Sequence, residues 1–328
     1  MPTLSTTNPT LADLASRMTA DGKIDPQIIE MLNETNEVLT EMTVLEANSY
    51  TEHKTTVRSG LPTGTWRKLN YGVQPEKSRT VPVKDTMGML ETYAPVDKAL
   101  ADLNDNRAAW RLSEDRAFIE GLNQTMATTL FYGDSSLDPE KFMGLAPRYS
   151  DSTAENGRNI IKGGGAGSDN ASIWLVVWGQ NTCHAIYPKG SQAGLQNRDL
   201  GETTLKDADG GMYQGYLTHY KWDLGLTLRD WRYVVRICNI DVSDLSGGSA
   251  ANILKLMVQA LHRVPNLRMG RAAFYMNRTI AEALDTQSLD KPGLALKVQE
   301  LEGQFWTTFR TVPIRTTDAL LDTETAVA

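Results

Sequence analysis

Two periods of apolar positions alternate along the 328-residue chain. Asp25-Pro26 reads as a helix N-cap followed by proline at the first helical position. Ile28, Leu32, Leu39, Met42 and Leu45 then fall on one helical face. Such a stripe needs a cover, supplied by the chain's own core or by a neighbouring subunit. Residues 60–87 follow another pattern: 65–73 and 79–83 read as strands around the turn Gln74-Pro75-Glu76-Lys77. Within 65–73, Thr65, Arg67, Leu69, Tyr71 and Val73 alternate with Trp66, Lys68, Asn70 and Gly72, and both sets mix polar with apolar side chains. A strand half-buried on a core shows one apolar face, so this hairpin is expected to project away from the main core. Pro75, Pro82 and the Lys and Arg side chains discourage uncontrolled edge pairing.

The longest predicted helix covers 106–131, with an interrupted stripe of Leu112, Ile119, Leu122, Met126 and Leu130 and a stop at Gly133. Gly121 within it costs about 1 kcal/mol relative to Ala. Residues 133–170 read as loop and 173–178 as a short buried strand. From Tyr216 to Leu228 the even positions are Tyr216, Thr218, Tyr220, Trp222, Leu224, Leu226 and Leu228; beyond them Trp231, Tyr233, Val235 and Ile237 are odd. That change of phase turns every side chain over and predicts a bulge or tight bend near Arg229-Asp230. Ser249 is expected to cap a helix carrying Ile253, Met257, Leu261 and Val264. A strand at 272–276, a short helix capped by Asn277, and strands near 294–298, 304–309 and 312–317 complete the chain. With no repeat and no strand–helix–strand alternation, the fold class is α+β.

Composition narrows the function. The net charge of −7 argues against a generic nucleic-acid binder. Locally the balance differs: residues 51–85 hold seven Lys and Arg against three acids, whereas 1–50 hold two against eight. Those two segments are therefore able to attract one another, within or between chains. Cys183 and Cys238 fit no metal or redox spacing, which suits a reducing compartment. The N-terminus lacks the basic and apolar regions of a signal peptide, and no apolar run is long enough to span a membrane.

Motifs for catalysis are absent from the sequence. His53, His184, His219 and His262 are scattered without a close His or Cys partner, so no metal site is expected. Gly163-Gly164-Gly165-Ala166-Gly167 lacks the Lys-Ser/Thr ending of a phosphate loop and reads as a flexible loop. No Ser sits in a Gly-x-Ser-x-Gly frame. Tyr216, Tyr220, Trp222, Trp231 and Tyr233 alternate with Lys221, Arg229 and Arg232; a base-stacking platform is one reading, and a sheet with an aromatic core face is the better one. No cofactor is expected.

The order of these parts resembles the Hong Kong 97-type major capsid fold of tailed phages: an arm, a projecting two-stranded loop, a long helix, a strand-rich region and a closing α/β lobe. Ala272-Ala273-Phe274-Tyr275-Met276-Asn277-Arg278 is similar to that family's strand–Asn–helix element, and Pro313-Ile314-Arg315-Thr316-Thr317-Asp318-Ala319-Leu320-Leu321 to its closing segment. Residues 222–241, with Leu224-Gly225-Leu226 and Arg229-Asp230-Trp231-Arg232-Tyr233, look like the short-tailed phage branch that includes epsilon-fifteen and the Bordetella phage. The resemblance implies an N-terminal arm (1–50), an E-loop hairpin (51–92), a spine-helix and peripheral region (93–170), and a strand-rich region with the axial domain (171–328), into which peripheral strands return.

It further implies a subunit that self-assembles, through hexamers and pentamers, into the icosahedral shell around a double-stranded DNA genome. The expected places are the virion capsid and, during assembly, the host cytoplasm. Implied partners are a separate scaffolding protein, since the sequence shows no long charged helical extension, a portal protein, a decoration or cement protein, and packaged DNA through weak contacts. No membrane is involved. The interface expectations are that Arg67, Lys68, Lys77 and Arg79 anchor the hairpin on an acidic neighbour. Ile28, Leu32, Leu39 and Met42 would dock the arm, with Trp66 and Tyr71 packing across the boundary. Nothing supports carrying over the family's autocatalytic crosslink. An encapsulin-like compartment and an unrecognised hydrolase are the alternatives.

Overall fold

The computed structural model describes residues 34–102, 107–207, 209–245, 251–289, 296–301 and 304–328. Ile28, Leu32 and Ser249 lie outside them. The N-terminal stripe does not continue as one helix. A single turn, Val38–Glu41, ends where Met42 turns extended, and Val44–Glu46 forms strand β1 instead. β-branched Thr43 and Val44 favour that switch, and the edge of a later strand receives them, pairing Val44 with Ala185. Val38 and Met42 are buried in the chain's own core and Leu39 packs against it. Glu41 fastens the turn, accepting hydrogen bonds from Tyr275 Oη (2.8 Å) and Arg315 Nε (2.5 Å).

The remaining strands are β2 (Glu52–Gly60), β3 (Arg79–Asp97), β4 (Ile160–Lys162), β5 (Asn170–Trp178), β6 (Cys183–Tyr187), β7 (Gln196–Lys206), β8 (Met212–Leu228), β9 (Val234–Asp241), β10 (Arg271–Met276), β11 (Leu296–Leu301), β12 (Gln304–Phe309) and β13 (Val312–Thr316). They hydrogen-bond in the order β11-β12-β13-β10-β5-β6-β8-β3-β2, with β9 also on β5 and β7 also on β8. Every residue of β5 is buried. Trp174, Val176 and Trp178 point into one core and Ile173, Leu175 and Val177 into the other. A strand reads as a continuous apolar run when both faces are covered. The first face is covered by Met126, Leu130 and Phe131 of the long helix Arg107–Tyr132. Helices Ile253–Arg263 and Arg278–Leu289 cover the second, with Met257, Ala260, Ile280 and Leu284.

The long helix matches its sequence expectation and stops at Gly133, whose N–H returns to the Thr129 carbonyl. Its stripe is divided. Trp110 packs with Val96 and Tyr216, and Leu122 with Ala94 and Tyr220, on β3 and β8. Leu112 and Ile119 are exposed. The same helix thus spans the extended β7-β8-β3 sheet and the closely packed lobe around β5.

Two further sequence expectations need correction, the strand at 65–73 and the Ser249 cap. The predicted strand at 65–73 is irregular, and β3 pairs with β2 instead, from Glu52↔Thr86 to Gly60↔Arg79. His53, Thr55 and Val57 alternate there with Lys54, Thr56 and Arg58, giving β2 the one-sided pattern that 65–73 lacks. The change of phase after Leu228 is absorbed, as expected, by a tight turn at Trp231–Tyr233, capped by Asp230 through the Arg232 N–H, after which the chain enters β9 on the edge of β5 opposite β10. The helix predicted after Ser249 is capped by Asn252, whose side chain accepts from Lys255 N at 3.0 Å. Asn277 caps its helix as expected, accepting from Ile280 N at 2.9 Å. β7 was not expected: its exposed side chains carry no apolar alternation, and it exists because β8 offers a free edge.

A buried ion pair ties the closing segment to β5 and β9. Arg236 Nη2 donates to Glu324 Oε2 at 2.8 Å, Tyr132 Oη to Glu324 Oε1 at 2.5 Å, and Ser172 Oγ also bonds that carboxylate. Removing one member of such a pair leaves the other charge buried without compensation. Glu324→Ala is therefore expected to lower unfolding free energy by about 3–5 kcal/mol, read from the denaturation midpoint.

β3 changes partner between Thr86, on β2, and Met87, opposite Gly225 of β8. A Cβ on Gly225 would stand 2.7 Å from the Thr86 carbonyl oxygen and 2.8 Å from Met87 Cγ. Gly225→Ala should cost about 1–3 kcal/mol by overpacking. Gly72→Ala, which meets nothing within 4 Å, should change the same midpoint by no more than a few tenths.

Candidate functional site

β2 and the first part of β3 form a two-stranded hairpin that leaves the sheet at the Thr86/Met87 switch. The 18 residues between the strands, 61–78, contain no regular element beyond a turn. Their reversal lies at Lys68–Tyr71, where Tyr71 N donates to the Lys68 carbonyl and Asn70 takes φ 65°. Asn tolerates that left-handed conformation better than most residues. The turn expected at Gln74–Lys77 is displaced to this point. Glu76 fastens the loop's two limbs together by accepting from the Thr63 N–H at 2.7 Å and from its hydroxyl.

The tip is apolar as well as charged. Trp66 is 99% exposed and Leu69 85%, with Leu61 and Tyr71 also open to solvent. Arg67, Lys68, Lys77 and Arg79 are exposed beside them. The structure therefore brings Trp66, Arg67, Lys68, Tyr71, Lys77 and Arg79 onto one projecting arm. Leu39 and Met42 are elsewhere, in the core of their own chain. Sequence reasoning missed Leu61 and Leu69 as parts of the tip, although both lie in a stretch with no apolar face to receive them.

The base of the arm is buried and polar. Arg148 Nη2 donates to Asp85 Oδ1 at 2.8 Å and to the Leu226 carbonyl at 2.9 Å. His53, opposite Asp85 in the hairpin, meets His184 of β6 edge-to-face at 6.0 Å. Sequence reasoning missed this cluster. Its only signal was the alternation of His53 and Thr55 with exposed polar residues.

The chemistry weighed in the sequence has no geometry here. Among the described residues no three His, Cys, Asp or Glu are grouped to hold a metal. In the glycine cluster, Gly163 N and Gly165 N donate to the Cys238 and Asn239 carbonyls at 2.7 Å, which removes them from service as a phosphate cradle. Tyr216, Tyr220 and Tyr233 are buried, so the aromatic positions of β8 form a core face and no stacking platform. Burial pushes the Cys183 thiol up to about 12, leaving it inert as a nucleophile.

Comparison with known proteins matches this architecture. The model of the family described as major capsid protein GP7 matches residues 19–328. A structure of bacteriophage Epsilon15 superposes with a TM-score of 0.80 at 35% identity, covering 100% of this chain and 99% of that one. The capsid of bacteriophage JBD30 superposes at 0.49 with 10% identity, over 95% and 99% of the two chains. The SrpI encapsulin complex of Synechococcus elongatus does so at 0.46 with 11% identity, over 71% and 97%. Neither of these last two superpositions is close enough to bear on function. No curated protein sequence matches at a significant level. The family match and the Epsilon15 superposition, both spanning nearly the whole chain, agree with the α+β order of hairpin, long helix and lobe: the chain belongs to the major capsid protein GP7 family, with the Hong Kong 97-type fold, and is a structural shell subunit of a tailed phage.

Proposed function

We propose that the subunit closes its shell by laying the hairpin tip on an adjacent copy, within hexamers and pentamers. The observation that carries this reading is the tip itself: Trp66, Leu69 and Tyr71 stand in solvent on an arm with no core of its own. Covering large apolar side chains gains roughly 1.5–3 kcal/mol each. A contact of that size is weak once and decisive when repeated around a closed shell. Arg67, Lys68, Lys77 and Arg79 orient the tip on acidic surface, each exposed pair adding about 0–1 kcal/mol and weakening with salt. Leu39 and Met42 hold the end of the N-terminal arm to its own subunit, and Ile28 and Leu32 are the arm residues proposed to dock on a neighbour.

On this reading 1–50 is the arm, 51–92 the E-loop and 93–170 the spine and peripheral region. Residues 171–328 hold the axial domain and return β7 and β8 to the peripheral sheet. The partners are a separate scaffolding protein during assembly in the host cytoplasm, a portal protein at one vertex, a decoration or cement protein, and packaged double-stranded DNA. The net charge of −7 keeps the DNA contact weak. No observation favours a compartment for cargo or a hydrolase.

Arg67→Glu combined with Lys68→Glu should reduce assembled particles at least about tenfold, with circular dichroism of the subunit unchanged. Particle yield is read by sedimentation and negative-stain microscopy. Normal yields of intact shells would overturn the proposal.

A further inference from the structure

The base of the hairpin holds a concentration of unsatisfied polar atoms. Of twelve buried side-chain atoms without a hydrogen-bond partner among the described residues, six belong to His53, Asp85, Arg148, His184, Thr227 and Arg229. These residues come from β2, β3, the turn Leu145–Arg148, β6, β8 and the segment just after β8. They meet where β3 leaves β8 for β2. Register places His53 opposite Asp85 and His184 opposite Thr227, and the two imidazoles face each other at 6.0 Å. His53 Nδ1 accepts from the Asn48 N–H at 3.2 Å. The charges facing the pair are one carboxylate, Asp85, already engaged by Arg148, and two guanidinium groups, Arg148 and Arg229. Buried polar groups left unpaired are the costly ones. The gathering of half of them at one strand switch points to a joint held closed by a narrow margin.

We infer that the His53–His184 pair is a proton-operated latch: adding a proton to either ring releases β2 and the outer part of β3 from the lobe beneath. Both rings are neutral when the base is closed. Burial holds His53 below its ordinary value, Arg229 adds to this, and Asp85 opposes it. Burial, then Arg229 and His53, hold His184 down to about 4, against a hydrogen bond to the Gly179 backbone. The closed state therefore binds fewer protons than the open one. Its stability is complete above the ordinary histidine value of 6.5 and falls as the pH drops from there toward about 4. A proton adds a third cation to a cluster with one carboxylate, and the relief available is separation of β2 from β6. The inference concerns the subunit's own hinge and holds whatever surface the tip meets.

Hydrogen–deuterium exchange of the full chain tests it, with rates corrected for the intrinsic effect of pH. Amides of 52–58 and 79–86 should exchange at least about tenfold faster at about pH 5 than at about pH 7, while those of β5 hold their protection. The double variant His53→Gln, His184→Gln should abolish the difference. Unchanged hairpin rates, an equal loss in β5, or the same acid response in the double variant would each overturn the latch. Should that variant fail to fold, C2-proton exchange of the individual histidines in the natural chain decides the matter. Titration of both His53 and His184 below the ordinary histidine value of 6.5 supports the latch, and titration of either at or above it overturns it.

Discussion

Burial of β5 on both faces is the constraint from which the described structure follows. Asn170–Trp178 offers no polar side except its first residues, so two separate layers must close over it. Trp174 and Trp178 require the long helix, and Ile173, Leu175 and Val177 require the helices Ile253–Arg263 and Arg278–Leu289. One charge enters this lobe from β9. Arg236 lies 5.2 Å over the Trp174 ring and is neutralised by Glu324, so the closing segment is also fixed by β5. With the C-terminal half of the long helix anchored there, its N-terminal half sets the position of β3 and β8, and those strands set the hairpin.

The hairpin has the opposite character. Its tip buries nothing within the subunit, yet displays a tryptophan, a leucine and a tyrosine that a lone soluble protein has little reason to group in one place. Its base is polar, and it crosses at a glycine that leaves no room for a side chain. A closely packed lobe, a long extended sheet and a projecting hairpin with an apolar end suit a subunit that makes repeated, heterologous contacts. That division of labour agrees with membership of the major capsid protein GP7 family.

Where the pattern is governed by a core, the sequence is readable: β5, the even positions of β8, the Asn277-capped helix and the Gly133 stop all follow from periodicity and capping chemistry. It misleads where partners are distant in sequence. Met42 looks like the continuation of a helical stripe because its spacing is right, but β6 supplies an edge some 140 residues later that pairs Val44 with Ala185 and wins. β7 is invisible because its only reason to be a strand is β8. The tip residues were legible for the same cause that displaced their strand: a stretch without an apolar face belongs to no core, and so marks a surface feature without fixing its backbone. The polar joint beneath them needed the fold, since His53 and His184 are brought together by two different strand pairings.

A cryo-electron microscopy reconstruction of assembled particles tests the central claim most directly, because it shows what covers Trp66. The account predicts closed shells in which Trp66, Leu69 and Tyr71 are buried on an adjacent subunit, with Arg67 and Lys68 within reach of its carboxylates. Shells whose subunits leave the tip in solvent, touching no neighbour, would contradict it.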